Sequence, residues 1–538
     1  MSTPTTEVAP RGDDAPTVRD WTIVMVVCMG FFMILLANTA VNAALPAIMS
    51  SFRVSIDVGL WVLNGFLLAY AALLLVGGRL GDLFGQRRLF LVGVVWFTVF
   101  STAGGFAPSA AWLIVFSVAM GIGGALMAPQ TLTIITGIFP AGRRGVAMGV
   151  WSAVSGLAAV TGPILGGWLV TGFGWEWVFL LNIPIGVVVF ALAIRLVPDL
   201  HFGTARSLDP VGAVLSTTGL ALIAFGLMEG SRYNWGRIWG VVSIPAILAL
   251  GALTVAGFIV YEWRMQRRPG SEPLVPFSLF RDRNFGLMSG VGFATSLALA
   301  ALMMPFTIYL QTVLGLSAFE AGLVTIPLFV ALLMVAPFTG RLADHHTARW
   351  PMVGGLLTLA GGIAVVAFTL QPDSGRWAFV PGLVLIGAGM GLASSLQTTI
   401  AMRGVPKELA GTSSGVFNTM LHLGPVLGVA ATGAILQSMM GGTLHDAAVE
   451  NSAALPAQAQ APFVAAFDSA SSGTADSALH QAPQAPPGIP EQVVDKAKDL
   501  VKQTFDEGFT NAVKPSLLLP IGAVTIAAGA AVAIRRRL

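Results

Sequence analysis

Residues 78–88 read GRLGDLFGQRR, and the first five letters return as GRLAD at residues 340–344, an offset of 262 residues. A second string, GPILG at residues 162–166, returns as GPVLG at residues 424–428 with the same offset. A third, looser set of proline and glycine positions matches at an offset of 266 residues. Glycine-rich strings match easily by chance, but three matches at nearly one spacing indicate an internal duplication, a common feature of transporter folds.

The composition places this duplication in a membrane. Of the 538 residues, 55% are hydrophobic and only 10% are charged, whereas a soluble domain carries about 25% charged residues. A soluble chain with so few charges could not cover its surface, so a soluble enzyme, a secreted disulfide scaffold and a disordered protein are excluded. The single cysteine, Cys28, excludes an intramolecular disulfide.

Windows of about 20 apolar residues, the length that spans a bilayer, recur along the chain. They predict an all-α polytopic membrane protein with fourteen helices. The first window is too long for a signal-peptide core, so we interpret it as an uncleaved helix. The predicted spans are 21–45, 58–76, 89–107, 111–138, 145–171, 176–197, 209–229, 239–261, 285–313, 318–340, 351–370, 378–402, 408–438 and 515–533.

The distribution of positive charge tests this count, because cytoplasmic segments of membrane proteins are enriched in Lys and Arg. With the N-terminus in the cytoplasm, 21 of the 29 basic residues fall on the cytoplasmic side. Four of the other eight lie in one long loop, which the rule discounts. One helix more or fewer would destroy this alternation, so both termini are predicted to be cytoplasmic.

The repeats divide the predicted spans into two halves of six that flank an inserted pair. The predicted organisation is a cytoplasmic tail at 1–20, an N-terminal half at 21–197, the inserted pair at 198–262, a basic linker at 263–284, a C-terminal half at 285–533 containing an extracytoplasmic loop at 439–514, and a basic end at 534–538. Duplicated membrane halves meet at a site near the bilayer midplane and rock about it, so a transporter is the natural interpretation.

These residues resemble the major facilitator superfamily, specifically its fourteen-helix drug/proton antiporter family of multidrug exporters. The resemblance covers nearly the whole chain except 439–514. It implies that the loop after the second helix is a cytoplasmic gating motif, in which Asp82 locks the outward-facing state against the start of the thirteenth helix. The alternative is a topology anchor of positive charge. The motif residues are Gly78, Asp82, Gly85, Arg87 and Arg88.

A second motif lies in the fifth helix. Gly162, Pro163, Gly166 and Gly167 resemble the antiporter motif of exporters, which implies export rather than import. Glycines let a neighbouring helix approach closely, and the proline frees a carbonyl and bends its helix. Ordinary small-residue packing explains the same residues without assigning a direction.

The sequence departs from the family at its charged intramembrane positions. The family places charged or polar residues where this chain has Ala37, Ser117, Met120 and Leu421. None of the 26 acidic residues lies centrally in a predicted span. His422, central in the thirteenth span, is the candidate proton site, because histidine titrates near neutral pH. The alternatives are a histidine hydrogen-bonded to a neighbouring helix, or coupling through Asp82.

An apolar interior with a few polar groups is typical of a site for hydrophobic ligands. Without an intramembrane acid, a neutral, anionic or lipid-like cargo fits better than a quaternary ammonium ion. Each polar candidate could instead form an interhelical hydrogen bond. The candidate pocket residues are Asn38, Thr39, Asn42, Asn64, Gln130, Gln311, Gln397 and Asn418.

The loop at 439–514 is rich in Ala, Gln, Pro and Ser and is predicted to be largely disordered. Within it, residues 490–505 have helical spacing, which predicts either a short interfacial helix or a lead-in to the last span. His345-His346 lacks a third ligand, so no metal site is predicted.

The sequence therefore predicts an exporter of hydrophobic or amphiphilic small molecules that works by alternating access in a bacterial plasma (inner) membrane. Arginine outnumbers lysine by 24 to 5, which is typical of a high-GC bacterial source. The expected partners are the cargo and membrane lipids, with no nucleic acid and no cofactor other than a proton gradient as energy source. We expect no enzymatic activity. A non-coupled facilitator or a non-transporting membrane scaffold is the alternative. The sequence does not specify the cargo, the proton stoichiometry or the oligomeric state.

Overall fold

The computed structural model describes residues 16–139, 143–198, 207–230, 232–233, 235–240, 242–268, 272–344, 349–470 and 491–534. In these residues, fourteen helices are long and apolar enough to cross a membrane, which confirms the fourteen-helix all-α fold. His345-His346, most of the N-terminal tail and the basic end at 535–538 lie outside the described residues.

The N-terminal half contains seven helices that make six spans. A break at Leu181 divides the sixth span into two helices. Side chains cap the first span through Thr17 and the fourth through Ser109, which satisfies backbone N–H groups that have no partner inside a helix. The helices are α1 (Val18–Phe52), α2 (Ile56–Phe84), α3 (Gln86–Gly105), α4 (Ala110–Ile138), α5 (Arg144–Gly172), α6 (Glu176–Leu180) and α7 (Asn182–Leu196).

The inserted pair is α8 (Pro210–Glu229) and α9 (Ile244–Met265), joined by the antiparallel strands β1 (Arg237–Trp239) and β2 (Val242–Ser243). α8 packs on α9 and also on α2, so the insertion touches the helix that carries the gating motif. The remaining helices are α10 (Ser278–Arg281), α11 (Arg283–Thr312), α12 (Ala318–Asp344), α13 (Arg349–Thr369), α14 (Val380–Arg403), a 3₁₀ turn (Lys407–Leu409), α15 (Ala410–Ser452), α16 (Ala457–Ala470), α17 (Glu491–Ser516) and α18 (Leu518–Val532).

The two halves repeat one packing pattern. In the first half α4 packs on α2 and α3, and α1 packs on α5 and α7. In the second half α14 packs on α12 and α13, and α11 packs on α15 and α18. The halves then meet through α5 with α12 and through α15 with α2. This crossed pairing is the arrangement in which two structural repeats can rock against each other.

The gating motif is a helix end rather than the loop that we expected from the hydrophobic window. Residues 78–84 continue α2, and Gly85, with φ of 92°, makes the turn into α3. The stretch contains no proline, so its backbone hydrogen bonds continue past the point where hydropathy falls. A positive φ costs glycine little, because it has no Cβ.

The prediction of a largely disordered segment at 439–514 is wrong for the residues that the structure describes there. α15 runs on to Ser452, and α16 and α17 follow it. Alanine favours helix formation. In addition, α17 packs against α15, and its apolar stripe includes the buried Phe505 and Phe509. α17 also leads into α18, as the lead-in interpretation expected. Residues 471–490 lie outside the described part of the chain.

Candidate functional site

A cavity of about 1140 Å³ lies between the two halves. Its wall is formed by α1 and α5 from the first half and by α11, α12, α14 and α15 from the second. The wall includes Gln311, next to the last residue of α11, and Phe319, at the start of α12. In the predicted orientation these ends face away from the cytoplasm, so the cavity reaches the extracytoplasmic side.

On the cytoplasmic side the halves are in close contact through glycines, at two positions related by the internal repeat. A Cβ on Gly415 would lie 2.9 Å from the carbonyl oxygen of Leu74, and a Cβ on Gly149 would lie 2.7 Å from that of Ala336. A Cβ on Gly78 would lie 2.4 Å from the carbonyl oxygen of Gly411. We call these contacts of α2 with α15 and of α5 with α12 the cytoplasmic gate.

Asp82 joins the two halves at this gate. Its Oδ1 accepts a hydrogen bond from the backbone N–H of Gly411 at 2.9 Å, and its Oδ2 accepts from the backbone N–H and the Oγ1 of Thr412, each at 2.8 Å. The side chain is buried. The donors lie in the first turn of α15, where the helix dipole favours a negative charge, so these bonds are charge-assisted.

The arginines of the gating region have different partners. Arg79 is buried and its Nη2 donates to Glu272 Oε2 at 2.9 Å and to the carbonyl of Ser207 at 3.2 Å. Arg87 donates to the carbonyl of Ile194 in α7, and Arg88 is exposed near the start of α3. The ion pair of Arg79 therefore connects the motif to the linker after the inserted helices, a contact that sequence analysis missed.

The antiporter motif has two faces. Gly162 and Gly166 pack against α1, where added Cβ atoms would lie 1.9 Å from Thr39 Oγ1 and 2.9 Å from the carbonyl oxygen of Ala40. Pro163 and Gly167 instead line the cavity, and a Cβ on Gly167 would meet nothing within 4 Å. The motif thus holds α5 against α1 and also forms part of the cavity wall.

Six of the eight predicted pocket residues lie on the cavity wall: Asn38, Thr39, Asn42, Gln311, Gln397 and Asn418. Asn64 and Gln130 do not, because α2 and α4 contribute no residue to that wall. Gln130 Nε2 donates to the carbonyl of Gly77 at 2.9 Å, as the alternative of an interhelical hydrogen bond expected.

Two of these six show how polar groups are presented in the cavity. Thr39 Oγ1 donates to the carbonyl of Ala158 in α5 at 3.2 Å, so its hydroxyl also joins two helices. Asn418 Nδ2 donates to the carbonyl of Ser414 at 2.9 Å, whereas its Oδ1 is buried without a partner among the described residues. A cargo that donates a hydrogen bond would satisfy this oxygen.

Aromatic side chains form part of the cavity wall. Phe31 and Trp151 are stacked with ring centroids 4.5 Å apart, and the Trp151 Nε1 donates to Thr131 Oγ1. His422, also on the wall, packs edge-on against Tyr70 at 4.7 Å. No charged side chain occurs among the described wall residues. Sequence analysis missed Phe31 and Trp151, since an aromatic residue in an apolar span gives no signal of which way it faces.

The described residues contain no group of three His, Cys, Asp or Glu side chains able to hold a metal ion. The chemistry that the cavity offers is therefore apolar contact, aromatic stacking and neutral hydrogen bonding, with one titratable histidine on the wall.

Comparisons with known proteins agree with this architecture. The family model of the Major Facilitator Superfamily matches residues 27–429. The chain is 38% identical to an uncharacterized transporter of that type from Mycobacterium tuberculosis, over 78% of the chain and 70% of the relative. It is 35% identical to a probable actinorhodin transporter of Streptomyces coelicolor (79% and 74% covered) and 33% identical to the tetracenomycin C resistance and export protein of Streptomyces glaucescens (80% and 78%). Among solved structures, the human organic anion transporter MFSD10 matches with a TM-score of 0.57 at 15% identity, over 94% of this chain and 99% of the other, which shows a shared fold.

Proposed function

The chain belongs to the Major Facilitator Superfamily, and we propose that it exports hydrophobic or amphiphilic small molecules across the plasma membrane by alternating access. The relative named as a tetracenomycin C resistance and export protein supports export as the direction of transport. The observation that carries the proposal is the cavity of about 1140 Å³ between the halves, sealed on one side by the cytoplasmic gate.

The wall of the cavity supports a cargo class. A cation would meet no carboxylate among the described wall residues, and burying an unpaired charge is costly. A planar aromatic molecule, neutral or anionic, could stack near Phe31 and Trp151 and donate a hydrogen bond to Asn418 Oδ1. Neutral or anionic lipid-like amphiphiles also meet the requirement for a cargo without a positive charge.

We further propose that a proton gradient drives the export and that His422 carries the exchanged proton. His422 is the one titratable imidazole among the described wall residues, and it lies beside the candidate cargo site. Protonation would place a positive charge in an apolar cavity, which disfavours a neutral cargo there and so links release to proton binding.

Uptake of a fluorescent aromatic amphiphile into inside-out vesicles tests both proposals, because uptake in this orientation equals export from the cell. We expect an imposed gradient, acidic inside the vesicle, to drive accumulation that His422→Ala abolishes. His445→Ala, an exposed histidine on the same helix, is the matched control and should transport normally. If gradient-driven uptake survives in His422→Ala, the proton site lies elsewhere, and Asp82 is next to be tested.

A second candidate function is facilitated, uncoupled movement of the same cargo. The observation that favours it is the uncharged cavity wall. In the same assay, transport that equilibrates the amphiphile without responding to the gradient would establish the facilitator. No transport of several amphiphiles would instead favour the non-transporting scaffold.

A further inference from the structure

Two buried carboxyl groups lie at the cytoplasmic end of the inserted helices, outside the cavity. Asp209 precedes α8, and its Oδ1 accepts from the backbone N–H of Gly212 at 3.0 Å. Glu262 is in the last turn of α9, and its Oε1 accepts from the backbone N–H of Leu274 in the linker at 3.1 Å. Asp209 and Glu262 are only 3% and 0% exposed.

The two groups face each other. A Cβ on Gly212 would lie 2.3 Å from Asp209 Oδ2 and 2.7 Å from Glu262 Oε1, so the two carboxyl groups converge on the same side of Gly212. Asp209 Oδ2 and Glu262 Oε2 are nevertheless buried without a donor among the described residues. Ionised carboxylates only accept hydrogen bonds, so a single proton supplies the missing donor and removes the repulsion between like charges.

The other described polar groups near the pair donate no hydrogen bond to Asp209 Oδ2 or to Glu262 Oε2. Tyr261 donates its hydroxyl to Asp209 Oδ1 at 3.1 Å, so it serves the oxygen that already caps α8. Arg268 lies just beyond the end of α9. From α2, the helix on which α8 packs, Arg79 points to Ser207 and Glu272. Neither Asp209 Oδ2 nor Glu262 Oε2 accepts a hydrogen bond from a guanidinium of a described arginine. No such arginine therefore takes the place of the proton between the two carboxyl groups.

The same linker that Glu262 holds also reaches the cytoplasmic gate. Glu272 lies two residues before Leu274, and its Oε2 accepts from the Arg79 guanidinium and from the backbone N–H of Ser207. Arg79 is one helical turn before Asp82 in α2. Hydrogen bonds at Glu262 and Glu272, together with the backbone between these contacts, therefore link the carboxyl pair to α2, the helix that carries Asp82.

We propose that Asp209 and Glu262 form a proton-binding site whose single proton keeps the linker docked on α2 and the cytoplasmic gate closed. Loss of that proton to an alkaline cytoplasm leaves two negative charges in a buried site. Their repulsion displaces Glu262 from the N–H of Leu274, withdraws Glu272 from Arg79 and loosens α2 from α15. The site is separate from His422 and needs no cargo to operate.

A distance measurement across the gate tests this proposal without substrate or gradient. In a Cys28→Ala background, Phe84→Cys and Trp350→Cys place spin labels at exposed cytoplasmic positions of the two halves. In nanodiscs, we expect the closed distance population to decrease as the pH is raised. Glu262→Gln, a neutral isostere, should abolish this pH dependence and keep the gate closed.

Glu229→Gln is the matched control, because Glu229 is buried at the other end of α8 and pairs with Arg232 at 3.1 Å. In Glu229→Gln, the distance between the spin labels should depend on pH as it does in the parent protein. A parent whose distances ignore pH, or a Glu262→Gln protein that titrates like the parent, would overturn the proposal. Asp209→Asn should reproduce the Glu262→Gln result.

Infrared spectroscopy of the parent protein tests the shared proton directly. It does not require that a variant at Asp209 or Glu262 folds. The parent should show a protonated-carboxyl band that disappears on alkalinisation, and absence of such a band would equally refute the shared proton. Because neither measurement involves transport, failure here is distinguishable from failure of the export proposal.

Discussion

Replacing Gly78 by alanine should open the cytoplasmic gate. The new methyl would lie 2.4 Å from the carbonyl oxygen of Gly411, whereas ordinary contact begins at 3.4 Å. The carbonyl oxygen of Gly411 belongs to the backbone of α15, and the new methyl is bonded directly to the backbone of α2. Neither atom can therefore move away by a rotation about a side-chain bond. α2 and α15 must therefore separate by about 1 Å to relieve a contact tighter than van der Waals packing allows.

That separation acts on the hydrogen bonds of Asp82. Lengthening its bonds from the N–H groups of Gly411 and Thr412, now 2.9 and 2.8 Å, by about 1 Å takes them beyond hydrogen-bond distance. Hydrogen bonds to a charged group contribute about 1.5–3 kcal/mol each. Losing two shifts the gate equilibrium toward the open state by roughly 100-fold or more. The higher helix propensity of alanine, at most about 1 kcal/mol, does not offset this loss.

Alkylation of a cysteine buried in the gate measures the shift. Ser414 is fully buried between the halves and donates to the carbonyl of Pro129, so Ser414→Cys in a Cys28→Ala background should resist an impermeant maleimide added to inside-out vesicles. Adding Gly78→Ala should make the introduced thiol react and should lower export. Gly354→Ala is the control, because its Cβ would meet nothing within 4 Å.

The reasoning is refuted if the Gly78→Ala protein keeps the introduced thiol protected and transports as the parent does. Such a result would mean that α2 and α15 are not in contact in the state that the protein populates. Reactivity that rose equally in Gly354→Ala would show instead that glycine replacement loosens the bundle in general.

Three further outcomes follow from the same contacts. Gly162→Val should lower the melting temperature in detergent far more than Gly167→Val, since a Cβ at the first position overlaps Thr39 and one at the second meets open space. Trp151→Ala should weaken binding of aromatic amphiphiles by roughly tenfold, measured by fluorescence titration, because aromatic pairs contribute about 0.5–1.5 kcal/mol beyond the area that they bury. Phe509→Ala should cost about 3–5 kcal/mol of local stability and speed proteolysis of α17 from outside the cell, whereas the exposed Val449→Ala should not.

The fold was largely predictable because a bilayer imposes a length on each helix. Fourteen apolar windows and one repeat offset specify the helices and their duplication, and the structure confirms the fourteen-helix fold. Helix ends were less predictable. Hydropathy falls before Asp82 and after residue 438, yet α2 and α15 continue, because backbone hydrogen bonding and packing on neighbouring helices, rather than lipid, decide where these helices stop.

The site was predictable only in part. Polar residues in α1, α11, α14 and α15 reach the cavity, but Asn64 and Gln130 do not, since a polar residue in a span satisfies either a cavity or a neighbouring helix and the sequence carries no sign of which. Asp209 begins the predicted span 209–229 and Glu262 directly follows the predicted span 239–261, positions at which acids are usually solvated. Their burial depends on the linker at 272–275 folding back over α9, a tertiary contact without a local signature.

α15 joins regions on the two sides of the membrane in one helix. At 1.5 Å per residue, its 43 residues extend about 65 Å, roughly twice the thickness of the hydrocarbon core. In its first turn, the backbone N–H of Thr412 donates a hydrogen bond to Asp82 of α2. Beyond this turn, α15 also packs against α16 and α17. A tilt of α15 during transport would therefore also move α16 and α17, on the side of the membrane that is predicted to be extracytoplasmic. A protein that binds α16 and α17 would therefore bind with an affinity that depends on the conformation of the cytoplasmic gate, or would stabilise one conformation of the gate, without contacting the gate.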